Sequence, residues 1–198
     1  MNENIFRILA AVVLFTGAGI STYYRRKADR ESGEKVSRRV DGNIMMSVIK
    51  IFGLLLWFSP LIYLLNPQWM AWSKIGLPDE LRWLGVILGV LCVAGIYWLF
   101  SSIGRGITPT SATRTEHTLV TSGPYRWVRH PLYTIGCSLF VTFGMIADNW
   151  FIALLGILAF IAMAIRTPRE EANLIAKFGE EYREYMKRTG RFLPKVWS

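Results

Sequence analysis

The stretch His117-Thr-Leu-Val-Thr-Ser-Gly-Pro-Tyr-Arg-Trp-Val-Arg-His-Pro-Leu-Tyr133 stands between two long apolar segments of the chain. It holds both histidines of the protein, His117 and His130, together with Gly123, Pro124, Pro131, Arg126, Arg129, Tyr125 and Tyr133. The prolines and the glycine break any helix across it. A plain connector between membrane helices needs none of this chemistry. The pattern therefore predicts polar side chains on irregular backbone at the water–membrane boundary, where non-helical chain is tolerated once protein or water covers it.

Outward from this stretch, composition points to a membrane. The 198 residues suit one domain, 1–198, whose first hundred residues carry three helices and whose remainder, 101–198, carries the chemistry. Apolar residues make up 52% of the chain and the mean hydropathy is +0.30. They cluster in runs close to the ~17–25 residues a spanning helix requires. The net charge of +9 would suggest nucleic acid on a soluble protein. Here the basic residues flank apolar runs, so the positive-inside rule accounts for them and no nucleic-acid partner is expected. Cys92 and Cys137 each lie inside an apolar run with no metal-ligand spacing, so they read as two buried thiols without disulfide or metal.

Five spans are expected, at 5–24, 44–65, 80–100, 132–147 and 150–165. The first reads as a retained helix rather than a cleaved signal, with Arg7 snorkelling at its start. Residues 25–43 form a basic loop, Pro60 kinks the second helix and Lys50 snorkels. Residues 66–79, with Trp69 and Trp72, form an external loop in the aromatic belt. Gly85 and Gly89 offer a small-residue seat for a neighbouring helix. The last two spans make a hairpin turning at Asp148-Asn149 and are short for a ~30 Å core. Thr167-Pro168-Arg169-Glu170 then reads as an N-cap, a first-turn proline and a capping-box glutamate. The helix after it carries Leu174, Ile175, Phe178, Tyr182, Tyr185 and Met186 on one stripe, and Gly179 weakens it. The tail after Arg188 is expected to be irregular. The fold class is thus an all-α integral membrane protein: five transmembrane helices including a C-terminal hairpin, plus a cytoplasmic amphipathic helix. Five crossings and the loop charges place the N-terminus outside and the C-terminus inside.

The hairpin returns the chain to its starting side, so Arg129, His130 and Tyr133 can approach Arg166 and Glu170. The stretch 117–133, read as His-Thr-Leu-Val-Thr-Ser-Gly-Pro-Tyr-x-x-x-Arg-His-Pro-x-Tyr, resembles the signature of isoprenylcysteine carboxyl methyltransferases. So does Arg166-x-x-x-Glu-Glu-x-x-Leu-x-x-x-Phe-Gly-Glu-Glu-Tyr-x-x-Tyr. The resemblance runs from about His117 to the end. It recurs more loosely in phospholipid N-methyltransferases and sterol reductases. No strand followed by G-x-G-x-x-G and a helix occurs, which agrees with that family's helical membrane fold.

The resemblance implies S-adenosylmethionine as methyl donor, taken from the cytosol. It places the cofactor against His117, Thr118, Leu119, Val120, Tyr125, His130, Pro131, Leu132, Tyr133 and Glu170. It gives Arg166 to the substrate; the planar fork of an arginine suits a carboxylate, and Arg129 ranks below Arg166 as a second candidate for it. The expected partners are a lipophilic, prenylcysteine-like carboxylate entering from the bilayer and the lipids themselves. Two departures concern Ile135, where the family has glycine, and Thr110, where a longer polar side chain is common. The residues alone leave blander roles open: interfacial histidines, a capping Glu170, and Arg129 on lipid phosphates. The functional alternatives are a lipid amine N-methyltransferase with His130 as proton acceptor, a nicotinamide-dependent reductase and a non-enzymatic scaffold.

Overall fold

The computed structural model describes residues 3–32, 44–103 and 119–195; the side chains of 31, 32 and 44–50 fall outside this description. His117, Thr118, Thr110 and the Lys50 side chain therefore lie outside the described residues. Among the described residues six α-helices follow in order: α1 (Glu3–Ser32), α2 (Ile44–Leu65), α3 (Asp79–Ile103), α4 (Pro131–Ile146), α5 (Trp150–Phe178) and α6 (Glu180–Arg188). Among the described residues the β-type pairing consists of two isolated bridges, Lys74 with Asn149 and Val128 with Gly190.

α4 is the central post. It packs against α3 on one side and α5 on the other, α1 crosses α3 and α4, and α2 leans on α5. Phe6, Leu14, Leu99, Phe143, Ile146 and Ile152 are fully buried between them. The outward faces are apolar as well: Val12, Phe15, Leu54, Phe58, Ile87 and Leu91 are all more than half exposed. Such a surface suits hydrocarbon rather than water. α1, α3 and α5 are long and apolar enough to span, while α4 and the 51–65 part of α2 are shorter apolar helices. The chain is an integral membrane protein.

Small residues set the close approaches. A Cβ on Gly85 would stand 2.8 Å from Met145 Cβ, and one on Gly144 would stand 2.7 Å from the Ala153 backbone nitrogen. Neither fits without moving a helix, so the expected seat at Gly85 receives α4. The hairpin turns where expected. Asp148 takes a φ of 53°, and Asn149 caps α5 by accepting from the Ile152 N–H at 3.0 Å. Asp148 also accepts from the backbone N–H groups of Gly76 and Leu77, which ties the hairpin tip to the loop before α3.

Several expectations are corrected. α1 runs on to Ser32, so Arg25, Arg26, Lys27 and Arg30 are helical rather than in a loop. Lys and Arg are good helix formers, no glycine or proline intervenes before Gly33, and Ala28 is buried in the core. Arg7 does not snorkel; it donates to the Leu64 and Leu65 carbonyls at 2.7 and 2.8 Å and so caps the end of α2. The largest correction is at the second motif. α5 does not stop at Ile165 but continues through Pro168 to Phe178. Thr167 is not an N-cap, for its hydroxyl donates back to the Met163 carbonyl at 2.8 Å, and Glu170 is not a capping-box residue. Pro168 forfeits one ladder hydrogen bond, but the buried Thr167 and Glu171 on either side hold the helix in place. The break comes at Gly179, with a φ of 58°. The expected stripe survives across it: Tyr182 and Tyr185 of α6 are buried.

Candidate active site

The end of the bundle where α4 begins gathers the loop before it, the last turns of α5, α6 and the tail. Gly123 has a φ of 59°, and a Cβ there would strike Ser102 Oγ at 2.1 Å. The motif glycine is thus required both for its backbone region and for its approach to α3. A short 3-10 turn (Gly123–Arg126) follows with Pro124 inside it, and Pro131 opens α4 at the position where no N–H is needed. The tail is not irregular throughout, as the sequence suggested. Gly190 N–H donates to the Trp127 carbonyl at 3.0 Å, and the Arg129 and His130 N–H groups donate to the Gly190 and Arg191 carbonyls at 2.9 and 3.0 Å. Thr134 Oγ1 adds a bond to the Phe192 carbonyl at 2.9 Å.

Two adjacent glutamates of α5 face different partners. Glu170 Oε2 accepts from the Tyr133 hydroxyl at 2.6 Å. Arg166 lies one turn before it on the same helical face, half-buried, and its charge reaches Tyr133. Glu171 is 3% exposed and accepts from Arg129 Nε at 2.9 Å and from Arg191 Nη2 at 2.6 Å. His130 Nε2 comes within 3.4 Å of Glu171 Oε1, out of line for a hydrogen bond, and is buried without a hydrogen-bond partner among the described residues. The imidazole stacks on Tyr133, with ring centroids 5.5 Å apart, and meets Phe192 at 6.1 Å. Burial holds the His130 pKa below its ordinary value against the opposing pull of Glu170 and Glu171. Burial likewise pushes the Tyr125 phenol up, helped by Tyr185 and Glu170, so it stays protonated.

Of the residues expected at the site, Tyr125, His130, Pro131, Leu132, Tyr133, Arg166 and Glu170 collect at this end of the bundle. Leu119 and Val120 lead into it on irregular backbone, half-buried. The Tyr125 carbonyl accepts from the Tyr185 hydroxyl at 2.6 Å, which anchors α6 to the motif. Arg129 is engaged within the protein. Besides Glu171 it donates to the Met186 and Thr189 carbonyls and to Thr189 Oγ1, and its side chain is 8% exposed. Ile135, the departure from the family glycine, packs over Gly95 of α3, where a Cβ would come within 3.3 Å. Sequence reasoning missed Glu171, Thr189, Arg191 and Phe192. The doubled glutamate was the one visible signal, since the tail's contacts are all long-range. Among the described residues no three His, Cys, Asp or Glu side chains cluster to hold a metal ion.

The phospholipid methyltransferase family model matches residues 81–181, from the first turn of α3 to the start of α6. The chain belongs to that family. Its relatives include the cobalt-zinc-cadmium resistance protein CzcN of Cupriavidus metallidurans, 40% identical over 128 residues, covering 63% of this chain and 54% of that protein. They also include the human protein-S-isoprenylcysteine O-methyltransferase, 37% identical over 86 residues, 40% of this chain and 28% of that one. The chain thus spans about half the length, or less, of the curated relatives it matches. The solved eukaryotic intramembrane Ras methyltransferase ICMT (isoprenylcysteine carboxyl methyltransferase) superposes with a TM-score of 0.56 at 16% identity, over 95% of this chain and 68% of that one. The likeness read from the two motifs holds in sequence and in fold.

Proposed function

We propose that the protein is a membrane methyltransferase that esterifies the carboxylate of a lipophilic, prenylcysteine-like substrate, with S-adenosylmethionine as donor. The observation that carries this is the Tyr133–Glu170 hydrogen bond, which joins the two motifs across the hairpin beside Arg166. The residues fit such a donor. Glu170 would hold its ammonium, the Tyr125 and Tyr133 rings offer faces to a sulfonium, and the buried His130 Nε2, without a hydrogen-bond partner among the described residues, is a polar atom open to a ligand. When bound, the cofactor supplies an electrophilic methyl group. Arg166 grips the acceptor carboxylate by its planar fork. A carboxylate is already ionised at neutral pH, so no general base is needed and positioning supplies most of the effect, up to ~7–11 kcal/mol. Arg129 serves by fixing Glu171 and the tail. The N-terminus faces outward, and the site and C-terminus face the cytosol; reporter fusions at Asn2 and Ser198 test that orientation.

The family's description and the buried, neutral His130 favour a second reading, N-methylation of a lipid amine, in which His130 Nε2 takes the amine proton. The test pairs calorimetric titration of S-adenosylmethionine in detergent with methyl transfer to a prenylated cysteine analogue and to phosphatidylethanolamine. Glu170→Gln should weaken cofactor binding roughly 10- to 100-fold, the worth of a charged hydrogen bond. Arg166→Lys should leave binding intact and sharply lower turnover on the carboxylate. Methylation of the amine lipid alone would establish the second reading. NADPH binding without a response to S-adenosylmethionine would overturn both.

A further inference from the structure

The tail reaches His130 by two routes. The Arg191 carbonyl accepts the His130 backbone N–H at 3.0 Å. The Arg191 guanidinium binds Glu171 Oε2 at 2.6 Å, while Oε1 of the same carboxylate stands 3.4 Å from His130 Nε2. Thr134 to Phe192, and Phe192 against the imidazole and against Phe160 at 5.1 Å, hold the tail in register. Arg191 is 41% exposed at its side chain, so this arm of the network is the one open to water.

We propose that Arg191 and Glu171 are positioning residues that fix the backbone and ring of His130 in the cofactor pocket, with Arg191 acting from the C-terminal tail. The inference rests on the methyltransferase reading for its ligand, and its chemistry is electrostatic. S-adenosylmethionine carries a sulfonium and an ammonium against one carboxylate, a net positive charge. An imidazolium in the pocket would repel it, so the productive His130 is neutral. The groups that face the ring are Glu170 and Glu171 from α5, Arg129 beside it in its own loop, Tyr133 from α4, and Phe192 from the tail. The two glutamates favour a proton on His130. Arg129 and Arg191 bind both oxygens of Glu171 and blunt that pull. The tail therefore does more than brace the fold: without the Arg191 charge, Glu171 draws a proton onto the ring.

The experiment uses the full chain in detergent and follows two quantities between pH 5.5 and 8.5: calorimetric affinity for S-adenosylmethionine, and the thermal midpoint of the cofactor-free protein. In the unsubstituted protein affinity is greatest near neutral pH and falls on the acid side, below the ordinary 6.5 of a histidine, as His130 takes up a proton; above about pH 7.7 loss of the cofactor's own ammonium proton lowers affinity in every variant alike. Arg191→Gln should move this acid limb up by about half a pH unit, roughly a threefold loss on the limb, with affinity at pH 8.5 little changed. Arg191→Lys should restore the limb, and Glu171→Gln should move it down. The loss of thermal midpoint on the acid side should shrink in Arg191→Gln, whose folded His130 pKa moves toward the unfolded value, and grow in Glu171→Gln. An Arg191→Gln protein that loses affinity equally at every pH, with its limb unmoved, overturns the proposal in favour of a bracing role. Should that variant fail to fold, an unmoved limb in Glu171→Gln overturns it equally. Absence of S-adenosylmethionine binding at any pH in the unsubstituted protein would instead overturn the methyltransferase reading, and the thermal limb would still report on Arg191.

Discussion

At one end of the bundle Arg82, 5% exposed, donates to both oxygens of Glu3 at 2.9 Å and to the Ile146 carbonyl at 2.9 Å, and lies 3.9 Å over the Phe6 ring. At the other end Arg129 meets Glu171, the Met186 and Thr189 carbonyls and the Thr189 hydroxyl. Both arginines spend their fork on backbone carbonyls and one carboxylate. The difference is in what stands beside them. Around Arg82 the Tyr63 hydroxyl also binds Glu3, at 2.8 Å, and helices α1 to α4 are riveted together. Around Arg129 the network holds the tail, yet leaves His130 Nε2 without a hydrogen-bond partner among the described residues and keeps Arg166 and Glu170 only half-buried next door. A polar cluster whose partners are all internal reads as structure. One that stops short of a buried ring nitrogen reads as a place for a ligand.

The comparison can be broken most directly at the two carboxylates. Glu171→Ala leaves Arg129 buried without a counter-charge and should cost ~3–5 kcal/mol, read as the denaturant midpoint in mixed micelles. Glu3→Ala should cost less, about 1–2 kcal/mol, because the Glu3 side chain is 41% exposed and water reaches the gap. Equal losses would mean the two networks are the same device. The smallest effect is a pH dependence belonging to the His130 end alone. Its folded pKa lies below the ordinary 6.5, so the unfolded chain takes up the proton more readily. The stability this contributes is complete above about pH 6.5 and is lost as pH falls through the lower folded value. His130→Phe keeps a ring against Tyr133 and Phe192 and should flatten the midpoint across that window. A slope unchanged by the substitution would move the titrating group elsewhere.

Local signals were legible where local physics decides. Asp148-Asn149 turned because short polar side chains tolerate positive φ and cap the next helix. Gly123 stood out because only glycine serves there, and Gly85 proved to be a contact seat. Thr167-Pro168-Arg169-Glu170 misled, since the same four residues cap a helix start in isolation and are carried through when packing holds both sides of the proline. Arg7 and Arg129 looked like lipid-facing cations because their partners are 57 and 42 residues away. The bridge between Val128 and Gly190 was illegible for the same reason. The candidate site was read at its rim, from Tyr125 to Tyr133 and from Arg166 to Glu170. Its support from the tail was not.

The unbroken α5 acts as a ruler. It starts at the hairpin tip with Trp150 and carries Arg166 and Glu170 on one rigid rod. At 1.5 Å per residue those groups stand ~24 and ~30 Å along it, about the thickness of a hydrocarbon core. Arg166 and Glu170 are therefore set at a depth rather than merely at a face of the membrane. On the methyltransferase reading proposed above, an acceptor would have to raise its polar head to that level while its chain stays below. A thicker bilayer, by submerging the Arg166 level, would select against acceptors with short spacers before it affected the fold.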